Sequence, residues 1–376
     1  MKKLLVVLLA FPLLTLSGCS KKNDTNSKLI ISEVVEGTGD NRAVELYNRS
    51  QGTINLNDYS LEIQLKNSSK IVALNGNLKP NETFVVAYSD ASEEILNKSN
   101  LVSDNLTFIG SQPILLKKGS KIVDILGIKD TNINYGADIS LVRKKEFLIG
   151  RKEFVEYDWI RYNCDNINYL GTIEPSISNE ELLLGPKLTD LDYSRPFYIE
   201  QENGSFLGGG GVMEVTVSSY VDGDTTCFNY DPTIISKIGV EQGTKLRYQN
   251  IDTPECYYGN IQEFGLVAKD YTNFRLSNAL HIQVQSVLNG SLTETFDRML
   301  GWVWVDDELL NFHIVLMGYS NSAFAANDEM RYKDVSYSNF IYNAQLYAQL
   351  KNRGIHGEKD PYWDYDAGHV KDEYNK

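Results

Sequence analysis

Four consecutive glycines, Gly208 to Gly211, cannot be held in a helix or strand without a heavy entropic cost, so no regular element is expected to run through them. The 376-residue chain is therefore read in two parts, which suits a length beyond what one core usually serves. From residue 28 to 174 short runs rich in Val, Ile, Leu and aromatics (LIISEVV, AVELYNR, YSLEIQL, KIVAL, TFVVAY, PILLKK, KIVDILG) alternate with clusters of Asn, Gly, Ser and Asp. That spacing predicts an all-β sandwich. Within it Ala43-Val44-Glu45-Leu46-Tyr47 alternates apolar with polar, the pattern of a sheet with one wet face. Glu33 and Glu45 are accordingly expected to be solvated and to carry no chemistry.

Residues 175–210 lose the strand periodicity and are read as a linker ending in a glycine hinge. A phosphate-cradling loop is excluded there, because no Lys-Ser/Thr pair follows the glycines. Residues 211–357 change character. MEVTVSSYV, KLRYQNI, HIQVQSVL and MLGWVWVDDELL read as strands, whereas FGLVAKDYTNFRLSNA, ELLNFHIVLMGY and YSNFIYNAQLYAQLKN place apolar residues at helical intervals. A small barrel flanked by helices packs these elements, and the second domain is expected to fold and act without the first. Residues 358–376 read as a loose C-terminal tail with Trp363 as its candidate anchor.

Three separated segments of the second domain carry chemistry: Val221-Asp222-Gly223-Asp224-Thr225, the stretch from Arg247 through Asp252-Thr253-Pro254-Glu255, and Asp297-Arg298. They supply carboxylates, two guanidinium groups and little else, which is what attack on a phosphodiester requires: ligands for a hard cation, a proton acceptor and fixed positive charge. Each segment alone has a bland reading. Asp-Gly-Asp-Thr is more often a hairpin turn, Asp-Thr-Pro-Glu a helix start, and Arg298 a strand-end ion pair with Asp297. Arg247 also precedes Asp252 by five residues, which in a regular strand puts the two on opposite faces unless a bulge or turn intervenes.

Taken together the segments resemble the staphylococcal-type thermonucleases, from about Gly211 to Gly357. The resemblance implies a five-stranded OB-type barrel with three helices, an α+β domain. It further implies that Asp224, Asp252 and the backbone carbonyl of Thr253 bind calcium, that Glu255 activates the attacking water, and that Arg247 and Arg298 hold the phosphate. Phe324 falls where that family stacks an aromatic on a base. The family's lysine and glycine ahead of the second arginine are Thr295 and Asp297 here, which thins the positive charge at the site mouth. The first domain resembles the immunoglobulin-like lamin-tail family, through LIISEVV…AVELYN, Leu56-Asn57-Asp58-Tyr59-Ser60-Leu61 and DWIRYNCDNINYLGTIE. In bacteria such domains look like binding or spacing modules, so a polymer or protein partner is expected for it.

At the amino terminus Lys2 and Lys3 precede an uncharged run from Leu4 to Leu16, too short to span a bilayer comfortably, and Leu16-Ser17-Gly18-Cys19 follows. This resembles a lipoprotein signal: residues 1–18 would be removed, Cys19 lipidated at the outer face of the membrane, and 19–27 left as a polar tether. Cys164, Cys227 and Cys256 remain, an odd count that excludes a disulfide-built scaffold; whether Cys227 and Cys256 pair is open. None of the four histidines has zinc-ligand spacing. The formal net charge of −14 excludes strong non-specific DNA binding. The expected function is that of a surface-anchored, calcium-dependent nuclease acting on DNA; whether RNA is also a substrate is open. The alternative is a nucleic-acid or polymer binding lipoprotein that does not cut.

Overall fold

A computed structural model describes residues 24–375, apart from 192–193, 258, 295–297 and 324–329. Cys19, the signal segment, Phe324, Thr295 and Asp297 lie outside the described residues. The N-terminal half is a sandwich of two sheets. One has six strands, in the order Trp159–Asn163, Ile139–Arg143, Leu29–Glu36, Arg42–Asn48, Thr83–Ala87 and Leu101–Val102. The other has four, in the order Lys121–Leu126, Ile114–Lys118, Tyr59–Gln64 and Ser69–Ala73. Between them lies a core that includes Leu29, Ile31, Val44, Leu46, Leu61, Leu116 and Trp159.

The expected wet face of the larger sheet is covered. Val35, Ala43, Val85 and Ala87 pack under Ala91, Ile95 and Leu170, so every residue of Leu29–Glu36 is buried. Glu33 and Glu45, neighbours across the two strands, are both 0% exposed, which corrects the expectation that they are solvated. Glu45 accepts from Ser32 Oγ at 2.6 Å and from the Gly171 amide at 2.6 Å, and burial pushes its carboxyl up to about 7. Glu33 is held well above the carboxylate range, first by burial and then by the charge of Glu45. Alternation fixed the facing of these side chains; nothing local marked the loops that cover them.

Residues 24–27, expected as part of a tether, are bonded to the sandwich. Asp24 pairs with Arg151 at 2.7 Å, the Thr25 amide donates to the Gly150 carbonyl at 2.9 Å, and Thr25 Oγ1 donates to the Val123 carbonyl at 2.5 Å.

In the C-terminal half one bent strand, Val212–Glu214 continued by Thr216–Tyr220, pairs at one end with Ile282–Gln285 and at the other with Thr225–Asn229. Thr225–Asn229 pairs with Lys245–Tyr248, which runs parallel to Met299–Val305, and that strand pairs back with Ile282–Gln285. The circuit closes into a barrel of five main strands. Helices Gly265–Ser277, Leu310–Leu316 and Tyr337–Leu350 pack around it, as their apolar periodicity predicts, and two further helices span Pro232–Ile238 and Asn179–Leu184.

The glycine run is not a hinge. The Gly208 amide donates to the Gly290 carbonyl, Gly209 to Phe197, Gly210 to Ser286 Oγ and Gly211 to Pro196, all at 2.8–3.0 Å. A Cβ on Gly208 would stand 1.7 Å from the Val287 carbonyl oxygen, so these glycines serve close approach between backbones. The segment before them is packed as well, with Ile177, Leu182, Leu188 and Phe197 buried.

Those residues belong to a core that also takes Phe147, Tyr157, Ile160 and Tyr162 from the sandwich and Trp302, Phe312, Phe340 and Tyr347 from the barrel side. Polar contacts reinforce it: Lys144 Nζ donates to Asn343 Oδ1 at 2.8 Å, Tyr342 OH to Glu156 at 2.9 Å and Tyr169 OH to Asp334 at 2.8 Å. The two halves therefore share apolar interior, which argues against an independently folding second domain. The C-terminal segment is docked too. Buried Asp360 accepts from the Phe264 amide at 2.5 Å, while Tyr362 and Tyr365 donate to Asp270 and Glu263. Trp363, the expected anchor, is half-buried in a two-strand ladder opposite Val370.

Candidate active site

The first segment folds as a tight turn. The Asp222 amide donates to the Thr225 carbonyl at 3.2 Å, and Asp222 Oδ1 accepts from the Asp224 amide at 3.1 Å. Gly223 is required by contact, since a Cβ would lie 2.7 Å from Ala268 Cβ and 2.9 Å from the Thr253 side chain. Thr272, on the Gly265–Ser277 helix, donates from Oγ1 to the Gly223 carbonyl at 2.7 Å. The turn is thus clamped between a helix and the second motif segment.

That second segment departs from a regular strand after Tyr248. Asn250 takes φ +64, a left-handed conformation that Asn tolerates, and Ile251–Asp252 resumes as a short strand against Asn321–Ser322. The turn corrects the facing of Asp252 relative to Arg247. No helix starts at Asp252: its amide donates to the buried Ser320 Oγ at 2.9 Å, and Pro254 leads into the Cys256–Tyr257 strand of a hairpin. Instead of capping a helix, Thr253 turns inward and donates to Asp224 Oδ2 from its amide at 2.7 Å and from Oγ1 at 3.1 Å.

Asp224 and Asp252 converge on one guanidinium. Arg247 Nη1 stands 2.8 Å from Asp224 Oδ2 and Nη2 stands 2.7 Å from Asp252 Oδ1. Asp224 is buried while Asp252 is open to solvent, its side chain 72% exposed. Burial raises the Asp224 carboxyl to about 6, against the opposing pull of Arg247 and with Asp222 adding to the rise. Arg247 lies opposite Leu300 in the parallel ladder, and Arg298 immediately precedes that partner strand, near enough to feel the charges of Asp224 and Asp222. Arg298 Nε is ion-paired with Glu294, which, more than the charges of Asp224 and Asp222, raises its pKa.

Glu255 is half-buried at the base of the hairpin, with its backbone fixed by Gln262. Gln262 Oε1 accepts from the Glu255 amide at 3.0 Å and the Gln262 amide donates to the Glu255 carbonyl at 2.8 Å. Next to it Cys256 is buried, its Sγ 3.9 Å from the Val221 carbonyl. Burial pushes that thiol up to about 11; Lys269 opposes the rise, and Asp222, Glu255 and Asp224 add to it. Cys164, Cys227 and Cys256 are free thiols. Thr272, Ser320, Gln262 and Lys269 carry no motif signal in the sequence, because each lies outside the three segments and meets them only through the fold.

The lamin tail domain family matches residues 22–130, and the staphylococcal nuclease homologue family matches residues 245–355. A thermonuclease of Staphylococcus intermedius is 30% identical over 142 residues, 37% of this chain and 73% of that protein. The second match takes in Arg247, Asp252, Glu255 and Arg298. The chain belongs to the staphylococcal nuclease family and carries a lamin tail domain ahead of its nuclease region.

Proposed function

We propose that this protein is a calcium-dependent nuclease, anchored at the outer face of the cell membrane, that hydrolyses phosphodiester bonds of DNA to leave 3′-phosphate ends, with the choice between DNA and RNA left open. The observation that carries this reading is the meeting of Asp224 and Asp252 on Arg247, with Arg298 near enough to feel the charges of Asp224 and Asp222. Among the described residues no group of three or more His, Cys, Asp or Glu is arranged to hold a metal. Two carboxylates with the Thr253 carbonyl are nevertheless all hard oxygen donors, the set that suits calcium when water completes the shell. When bound there, calcium supplies positive charge to the phosphate and lowers the cost of activating water.

The chain's own groups divide the remaining work. Glu255 accepts the proton of the attacking water, whose oxygen forms the new bond to phosphorus. The bond from phosphorus to the 5′ oxygen breaks in line, and that oxygen leaves with its electron pair and takes a proton from solvent. Arg247 and Arg298 bind the non-bridging oxygens as charge grows on them, a task suited to the guanidinium fork.

Lys2, Lys3, the apolar run and Cys19 support the anchoring, with the rest of the chain outside the membrane. No helix among the described residues is long and apolar enough to cross a membrane. The test is to incubate the protein with single-stranded DNA in calcium or in EGTA, beside Arg298→Ala. Calcium-dependent cleavage to 3′-phosphate ends, lost in EGTA and in the variant, is expected. Cleavage that persists in EGTA removes the metal assignment, and binding without cleavage moves the protein among the non-catalytic binders.

A further inference from the structure

The hairpin after Glu255 pairs Cys256 with Ile261 and Tyr257 with Asn260, and Gly259 turns it at φ +83. Successive side chains of a strand point to opposite faces. Cys256 is buried with its Sγ toward the Val221 carbonyl, whereas its strand neighbour Tyr257, two residues beyond Glu255, stands on the outward face. Tyr257 is 59% exposed, yet its hydroxyl is held, accepting from Asn260 Nδ2 at 2.8 Å. With Gln262 fixing the Glu255 backbone, the ring is an ordered aromatic surface beside the carboxylates.

Charge makes this surface informative. The stretch Cys256-Tyr257-Tyr258-Gly259-Asn260-Ile261-Gln262 has no charged residue, and around it Asp222, Asp224, Asp252 and Glu255 outnumber Arg247, Arg298 and Lys269. The hairpin therefore offers a polynucleotide no attraction for phosphate. What it offers is a π face, which any base can stack on.

We infer that Tyr257 is a substrate-stacking residue that takes the nucleobase next to the scissile phosphate, and that it directs the enzyme to unpaired strands. This rests on the nuclease reading above. In a duplex each base already stacks on its neighbours, so the ring gains contact only with a base that is free of them. Stacking also binds without net charge, which suits an acidic protein whose phosphate contacts are few.

The test measures fluorescence anisotropy of labelled oligothymidylate in EGTA, and steady-state cleavage of the same oligonucleotide in calcium, for wild type, Tyr257→Ala and Tyr257→Phe. Tyr257→Ala should weaken binding and raise KM by about tenfold with kcat unchanged, while Tyr257→Phe, which keeps the ring and loses the Asn260 hydrogen bond, falls between the two. On an oligonucleotide of abasic nucleotides, Tyr257→Ala and wild type should bind alike. Equal affinity and KM of wild type and Tyr257→Ala on oligothymidylate would overturn the inference. Wild type that binds but does not cut defeats the nuclease reading alone, because the EGTA comparison still judges Tyr257; where wild type does not bind in EGTA but cuts in calcium, the KM comparison judges Tyr257, and neither binding nor cleavage defeats both.

Discussion

At Arg247 a single guanidinium holds two carboxylates that would otherwise repel, and both arms of its fork are occupied by them. Under the proposed mechanism the fork turns to phosphate when another positive charge takes over Asp224 and Asp252. Glu255 has a different role and is outside that ion-pair set, so its loss should leave metal affinity nearly intact. Glu255→Gln is expected to lower turnover by about 10²- to 10⁴-fold. Wild-type rates in that variant, measured beside calcium binding by calorimetry, would remove the proton-acceptor role. The acids and arginines were legible in the sequence because each lies in a short segment whose spacing is itself informative. Ser320 and Thr272 were not legible, since a lone hydroxyl has no signature until the fold brings it to a backbone group.

Among the elements, the Gly265–Ser277 helix does most to hold the site's first turn. Its Thr272 hydroxyl satisfies the Gly223 carbonyl inside the protein, where an unpaired acceptor is costly. Thr272→Val keeps the shape and removes the donor, and should cost about 1–3 kcal/mol in urea unfolding, with lower activity as the Asp224 turn loosens. An unchanged midpoint and rate would show that the helix does not support the turn. The three main helices could be read from periodicity, because each buries one apolar stripe, although the Tyr337–Leu350 helix packs on the sandwich and on its neighbouring helices as well. The larger sandwich sheet misled for the opposite reason: a strand's alternation does not say what packs on its second face, and Glu33 and Glu45 were assigned to water. The glycine run misled similarly, since glycine marks both freedom and close approach.

Over the whole molecule the shared core makes the sandwich part of the nuclease's support, with Lys144 buried at the junction beneath Asn343 and against the Tyr157 ring. Burial pushes the Lys144 ammonium down to about 7, with Asp158 and Glu146 opposing. A lysine whose folded pKa is depressed is bound by fewer protons in the folded state, so its contribution to stability rises with pH from about 7 toward its ordinary value. Between pH 7 and 9 wild type should gain on the order of 2 kcal/mol relative to Lys144→Met, read from paired denaturant titrations. Parallel pH profiles would show that the junction tolerates the charged amine.

The bonding of Asp24 and Thr25 to the sandwich bears on where such an enzyme could work. With Cys19 carrying lipid as proposed, only five residue steps lead to Asp24, a reach of at most about 18 Å. Since Asp24 is fixed to Arg151 and the two halves share a core, no joint among the described residues extends that reach. The nuclease would stay within a shallow layer above the headgroups, and strands settling on the cell's own envelope, more than those drifting in the medium, would be the ones it meets.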